Sequence, residues 1–115
     1  MKKTLTLSLL GWLLLGSLFS QHFYKSTKLF ASDRALGDNL GSTVAIDGNY
    51  AIAGASLQDT DASGMNTLSQ AGAAYIYERD MNGQWQQVQK IVPSNRLSND
   101  RFGFTVDIEG DIAIV

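Results

Sequence analysis

The sequence predicts an all-β protein in which antiparallel four-stranded blades of a β-propeller follow an N-terminal signal peptide. Three observations lead to this fold class. The chain of 115 residues contains a sequence repeat with a period of 62 residues. Short apolar runs alternate with turn residues, and glycine and alanine are concentrated in the first two runs. A fixed period of this size is typical of repeat architectures, whose units bury their apolar faces against their neighbours.

Residues 1–20 have the composition of a secretory signal peptide. Two lysines precede an apolar stretch of 16 residues, 4–19, and the small Ser20 stands directly before the expected cleavage point. The alternative interpretation is a membrane anchor. It fits less well, because a membrane span needs roughly 20 apolar residues and this stretch has 16. We therefore expect residues 21–115 to be exported, secreted or held at the cell surface, with no stable membrane span after cleavage.

Charge and cysteine content exclude several function classes. The chain has a formal charge of −2 and no cysteine, and loss of the two N-terminal lysines leaves a charge of −4. Such a surface gives no electrostatic reason to bind nucleic acid. Disulfides, thiol nucleophiles and thiolate zinc sites are excluded, and the single histidine, His22, lies beside the expected new N-terminus, where the backbone frays. We expect no enzymatic activity.

The repeat aligns residues 28–53 with residues 90–115 without a gap. Eleven of the 26 aligned pairs are identical, and they include charged, small and apolar residue types. This spread favours a true repeat over a chance match between biased segments. The identical pairs are Lys28/Lys90, Ser32/Ser94, Arg34/Arg96, Asp38/Asp100, Gly41/Gly103, Thr43/Thr105, Val44/Val106, Ile46/Ile108, Gly48/Gly110, Ala51/Ala113 and Ile52/Ile114.

Local chemistry predicts a complete blade over residues 40–92. Val44 and Ile46 alternate with smaller residues, and an Asp-Gly-Asn turn at 47–49 predicts a tight hairpin. The polar segment 56–70 has no apolar period, which predicts a loop. The four strands are expected at 43–47, 50–55, 71–79 and 84–92. Small residues on the inner strands would let successive blades pack closely, and Tyr and Trp would lie on the outer strands.

Both ends of the sequence fit the same scheme. Residues 23–30 align with the fourth strand, which predicts an outer strand that completes another blade. Residues 102–115 repeat the first two strands and predict the start of the next blade. The chain is therefore expected to hold about one and a half blades of a closed propeller, which typically has 4 to 8 blades. Further blades of the same chain are expected to complete it.

These residues resemble the FG-GAP repeat, the blade unit of integrin-α-type β-propellers, in the form found in bacterial secreted proteins. Leu40-Gly41 stands in the "FG" position, Gly54-Ala55-Ser56 in the "GAP" position, and residues 72–77 in the third strand. Phe102-Gly103 supplies a literal "FG" in the second copy. The resemblance covers residues 23–115 and implies a propeller whose loops bind a protein or glycan ligand.

Calcium is the one cofactor that the resemblance suggests. Integrin-type blades that bind calcium carry an Asp-rich loop between the "FG" and "GAP" elements, and this chain has a short hairpin there. Asp59, Asp61 and Ser63 instead place oxygens at alternate positions before Gly64, as in the first half of a calcium loop. No carboxylate closes that loop, because Gln70 stands at its twelfth position. A weak calcium site and a solvated polar loop are both compatible with this pattern.

The expected function is a non-enzymatic binding or adhesion module. One alternative is an accessory propeller module of a larger secreted hydrolase, and another is a lectin-like chain whose blades assemble between subunits. Arg34 and Arg96 recur at one repeat position, which favours a structural role in the loop between blades. Tyr75, Tyr77 and Trp85 are expected to pack within or between blades rather than to form a carbohydrate-stacking platform.

Overall fold

A computed structural model describes residues 26–115, so the predicted signal peptide lies outside the described residues. The strands are β1 (Leu40–Asp47), β2 (Tyr50–Ala55), β3 (Ala73–Arg79), β4 (Trp85–Ile91), β5 (Asp107–Glu109) and β6 (Ile112–Ile114). The first four form one antiparallel sheet in chain order, and β5 and β6 form a hairpin. This confirms the all-β class and the four-stranded blade. Residues 26–115 include no helix long and apolar enough to cross a bilayer.

The hairpin between β1 and β2 forms where the sequence predicts it. Asp47 pairs with Tyr50, and Gly48 between them has a φ of 56°, which glycine adopts without a steric penalty. The first strand begins at Leu40, three residues earlier than predicted, because an irregularity between Leu40 and Val44 allows the strand to pair again with the end of β2. Such bulges are not readable from apolar alternation, since they interrupt it.

The rest of the sheet follows the predicted order. The loop 56–70 contains no strand, and β3 then pairs with both β2 and β4. Asp80 closes the turn to β4, since its carbonyl accepts the Gly83 amide at 2.9 Å and its carboxylate accepts the amides of Asn82 and Gln84, both at 2.9 Å. Carboxylates that accept backbone amides two residues onward are typical turn formers.

Alanines and two tyrosines form the core of the sheet. Tyr75 and Tyr77 are 0% and 1% exposed, and they pack with the small residues of β2 and β3. Leu29 and Trp85 contact this cluster from its edge. The tyrosine rings therefore serve packing, and they are too deeply buried to form a platform for a sugar.

Residues 26–30, the described part of the predicted outer strand 23–30, form no strand. A strand requires a neighbour whose backbone pairs with it, and no strand of the described chain pairs with these residues. The contact with β4 is made just after this segment, by Ser32 and the side chain of Gln87. The Ser32 amide donates to Gln87 Oε1 at 2.8 Å, and Gln87 Nε2 donates to Ser32 Oγ at 3.0 Å.

The repeat recurs in the backbone as well as in the sequence. Asp38 and Asp100 each accept the backbone amide three residues earlier, from Ala35 and Leu97, and both distances are 2.7 Å. Positive φ values also recur at four positions that are 62 residues apart. These pairs are Gly37/Asn99 (93° and 68°), Asn39/Arg101 (60° and 54°), Gly41/Gly103 (85° and 82°) and Gly48/Gly110 (56° and 58°).

Candidate functional site

Three polar segments meet at one end of the four-stranded sheet, and we call them the loop face: residues 31–39, 56–70 and 93–101. Backbone hydrogen bonds join them. The amides of Asn99 and Arg101 donate to the carbonyls of Ser69 and Gln70 at 2.8 and 3.0 Å, and the Leu57 amide donates to the carbonyl of Asp38 at 3.3 Å. The loop face is therefore a single packed surface rather than three independent loops.

Arg96 ties the segment 93–101 to the loop 56–70. Its Nη2 donates to the carbonyl of Asp59 at 2.7 Å, and its Nη1 donates to the carbonyl of Asn66 at 3.1 Å. These contacts give Arg96 the structural role that its repeat position predicts. Arg34, its counterpart in the first copy, lies instead over the Phe30 ring, with 4.5 Å from the guanidinium carbon to the ring centroid.

The carboxylate of Asp61, a predicted calcium ligand, organises its own loop. Its Oδ1 accepts the amide of Ser63 at 2.8 Å, the hydroxyl of Ser63 at 2.6 Å and the amide of Met65 at 3.1 Å. The side-chain amide of Asn66 donates to Oδ2. The hydrogen bonds from Ser63 and then Asn66 hold the pKa of Asp61 well below its usual range.

Asp59, the other predicted carboxylate ligand, contacts the end of the loop rather than the residues around Asp61. Its Oδ1 accepts the amide of Gln70 at 2.7 Å, which closes the base of the loop. Across residues 26–115 no three His, Cys, Asp or Glu side chains converge as a metal site requires. Asp59, Asp61 and Ser63 therefore have structural roles in this loop, and a calcium titration decides between a weak metal site and a solvated polar loop.

A partly buried ion pair joins the loop face to β4. Lys90 Nζ is 2.6 Å from Asp33 Oδ2, and the two side chains are 6% and 27% exposed. The Tyr75 hydroxyl donates to Asp33 Oδ1 at 2.8 Å, and Lys90 also donates to Thr60 Oγ1 at 2.9 Å. Burial raises the pKa of Asp33, but the hydrogen bonds from Lys90 and Tyr75 outweigh it and lower that pKa below its ordinary value. Burial raises the pKa of Tyr75, and its bond to Asp33 raises it further.

This network holds the loop 56–70 on the sheet. Lys90 donates hydrogen bonds both to Asp33 and to Thr60, and Thr60 belongs to this loop. Sequence reasoning missed the network because its members lie 27 to 57 residues apart. The only sequence signal was the Lys28/Lys90 identity.

A cleft of about 390 Å³ opens on the loop face between residues 33–38 and 57–70. Gln58 is 2% exposed and fixes the cleft wall, because its Nε2 donates to Asp38 Oδ2 at 3.3 Å and its Oε1 accepts the Thr60 hydroxyl at 2.9 Å. The lining combines the carboxyl groups of Asp33, Asp38 and Asp59 with the apolar side chains of Leu36 and Leu57. Oxygen acceptors in such a lining suit a ligand that donates hydrogen bonds.

Three glycines, Gly54, Gly72 and Gly103, form the contact between the two repeats, which we call the glycine seam. A Cβ on Gly54 would overlap the carbonyl oxygen of Gly103 and lie 2.5 Å from Thr43 Cγ2. A Cβ on Gly72 would overlap the backbone of Phe102, whose amide donates to the carbonyl of Ala71 at 2.9 Å. The "FG" pair of the second copy therefore lies directly on the "GAP" strand of the first. Only glycine allows the two backbones to approach this closely.

The hairpin β5–β6 extends this contact along the sheet. The Val106 amide donates to Thr43 Oγ1 at 3.3 Å, and the Gly110 amide donates to Asp47 Oδ2 at 2.7 Å. The second copy thus packs on the first through backbone donors and side-chain acceptors of β1.

The sequence was compared with the models of known protein families. The sequence model of a family described as "FG-GAP repeat" matches residues 23–77 and 85–115. The matched ranges contain both sides of the glycine seam. No curated protein and no solved structure matches the chain.

Proposed function

Because the chain belongs to the FG-GAP repeat family, we propose that it is a non-enzymatic, exported binding module. In this proposal the loop face contacts a protein or glycan ligand outside the cell. The lysine-rich, apolar N-terminus supports export. The fold by itself leaves the ligand open, since one fold carries many functions.

The observation that supports the proposal is the cleft of the loop face. Its walls are joined by buried and partly buried contacts, such as those of Gln58 and the Lys90–Asp33 pair, before any ligand arrives. A preformed site loses less conformational entropy on binding than a mobile loop does. Leu36, which is 106% exposed, and the exposed Thr67 line the cleft and are free for contact with a ligand.

An accessory role in a larger secreted hydrolase is the alternative. The same cleft would then position the substrate for a catalytic domain elsewhere in that protein. A hydrolase domain in the adjoining reading frame supports this role, whereas further repeats with a sorting or adhesion domain support the binding module.

The binding proposal is tested with the exported product on glycan and extracellular-protein arrays. The double variant Leu36→Arg/Thr67→Arg places two cations in the cleft without removing a hydrogen bond of the loop face. It should weaken captured binding at least tenfold. Met81→Arg is the matched control, because Met81 is 103% exposed in the β3–β4 turn and its replacement should leave binding unchanged. Equal loss in both variants, or no captured ligand at all, would contradict the proposal.

A further inference from the structure

Asparagine is followed directly by glycine at one place in the chain, Asn82-Gly83. Glycine has no side chain to shield its backbone nitrogen, so that nitrogen can approach the carboxamide carbon of the preceding asparagine. The five other asparagines are each followed by a residue with a side chain: Leu40, Tyr50, Thr67, Arg96 and Asp100. Asn82 is therefore the asparagine with the least steric protection on its C-terminal side.

The pair lies in the turn between β3 and β4, where residues 81–84 are all exposed. A Cβ on Gly83 would have no atom of residues 26–115 within 4 Å. Both strands that the turn joins belong to the four-stranded sheet, so the exposure is a property of this hairpin itself. Water therefore reaches the backbone on both sides of the Asn82-Gly83 bond.

The carboxamide of Asn82 is less restrained than those of two other exposed asparagines. Arg79 holds the side chain of Asn49, because its Nε and Nη2 donate to Asn49 Oδ1 at 3.2 and 2.9 Å. The side-chain amide of Asn66 donates to a carboxylate of its own loop. Asn82 enters the hydrogen bonds of its turn through its backbone amide, and its carboxamide has no comparable bond within residues 26–115. This side chain can therefore rotate towards the nitrogen of Gly83.

We propose that Asn82 is a site of spontaneous covalent modification, in which it loses ammonia and becomes isoaspartate or aspartate. The backbone nitrogen of Gly83 gives its proton to solvent base and forms a bond to Asn82 Cγ. The bond from Cγ to the side-chain nitrogen breaks, and ammonia leaves with a proton from solvent. Water then opens the cyclic imide: cleavage at the main-chain carbonyl carbon of Asn82 gives isoaspartate, and cleavage at Cγ gives aspartate.

Asp80 controls how fast this reaction proceeds in the folded chain. The Gly83 amide donates to the carbonyl of Asp80 at 2.9 Å, so the attacking nitrogen is engaged while the turn is closed. The carboxylate of Asp80 accepts the amides of Asn82 and Gln84, both at 2.9 Å, and these bonds hold the turn in that state. The same negative charge disfavours the deprotonated nitrogen that attacks. Both effects slow the reaction, and opening of the turn relieves the first.

Isoaspartate formation changes the turn permanently. The backbone then runs through the former side chain of Asn82 and is longer by one carbon atom, so the amides of residues 82 and 84 can no longer both reach Asp80. A new carboxylate also lies two residues from that of Asp80. The end of the hairpin should therefore loosen where β4 begins at Trp85. The loop face lies at the other end of these strands, so the modification is independent of its ligand.

The test is incubation of the purified, folded protein in mildly alkaline buffer, with samples taken over time for peptide mapping by mass spectrometry. Replacement of the side-chain amide by a carboxyl group changes the peptide mass, and electron-transfer fragmentation separates isoaspartate from aspartate. Asn82 should react roughly tenfold or more faster than any other asparagine, because an intramolecular attack depends steeply on the approach of the reacting atoms. An equal rate at another asparagine, or an unchanged Asn82, would overturn the proposal.

Variants of the turn test the chemistry and the role of Asp80. Asn82→Gln keeps a carboxamide but requires a larger ring, so it should lack the ammonia that the native chain releases. Asp80→Ala should speed the reaction at Asn82 about threefold or more, since it frees the turn and removes the charge. Asp80→Asn keeps an oxygen acceptor for both amides and should react at a rate between those of Asp80→Ala and the native chain. Equal ammonia release by Asn82→Gln and the native chain would overturn the proposed site, and equal rates in Asp80→Ala and the native chain would overturn the control by Asp80.

Discussion

Replacing Gly54 with alanine tests the glycine seam directly. The new methyl would overlap the carbonyl oxygen of Gly103, lie 2.5 Å from Thr43 Cγ2 and lie 3.0 Å from the Gly103 carbonyl carbon. Two of these three atoms belong to backbone, which yields less easily than a side chain. Overpacking typically costs about 1–3 kcal/mol, and the less flexible unfolded chain offsets roughly 0.5 kcal/mol of that cost. The expected net loss is therefore about 2 kcal/mol of the free energy of unfolding.

Thermal and urea unfolding, followed by circular dichroism, measure this loss. For a domain of this size about 2 kcal/mol corresponds to a fall in Tm of roughly 8–16 °C. Hydrogen exchange shows where in the protein stability is lost. The Phe102 amide, which donates to the Ala71 carbonyl, should lose protection before the amides of β3 do. The control is Gly64→Ala, where the added methyl meets open space and only the φ of 77° opposes it. A Gly54→Ala protein as stable as the native chain would refute close backbone contact at the seam.

Three further predictions concern the buried network and the loop. Lys90→Met should destabilise the fold by about 1–3 kcal/mol, because Asp33 loses its cation. The pKa of Asp33 is lower in the folded state than in the unfolded state. The stabilisation that the Asp33 carboxylate provides is therefore present above about pH 4 and is lost as the pH falls further. That acid-induced loss, measured by urea unfolding between about pH 6 and pH 2, should be smaller in Lys90→Met. Tyr77 carries a buried hydroxyl without a partner among the described residues, and burial raises its pKa to about 12. Tyr77→Phe should therefore raise the free energy of unfolding or leave it unchanged. Tyr75→Phe should lower the free energy of unfolding by about 1 kcal/mol, because it removes the hydrogen bond to Asp33. Because the oxygens of Asp61 already accept several donors, calcium up to about 1 mM should leave Tm unchanged, and a saturable rise in Tm would establish the metal site instead.

The sequence predicted the local elements because their signals lie within a few residues. Strand β2, Tyr50–Ala55, and the preceding hairpin agree residue for residue with the structure. The start of β1 differs, since the irregularity after Leu40 breaks the alternation that identifies strands. Residues 26–30 differ for another reason: a strand forms only with a partner, and sequence alternation says nothing about whether one is present.

The candidate site was less predictable from sequence because its contacts are distant along the chain. Lys90 reaches Asp33 across 57 residues, and no spacing rule brings those two side chains together. The role of Arg96 was predicted because the repeat placed it between blades. The glycine seam was predicted as a tendency, small residues where sheets approach, but the particular pairing of Gly54 with Gly103 required the structure.

The most direct measurement of the central claim is a set of nuclear Overhauser contacts between the two repeats of the protein. The account predicts contacts from the α-protons of Gly103 to those of Gly54 and Ala73, together with a β-sheet spectrum for residues 40–91. A folded chain in which residues 102–115 show no contact with the first blade would contradict the claim that one repeat buries its surface on the next.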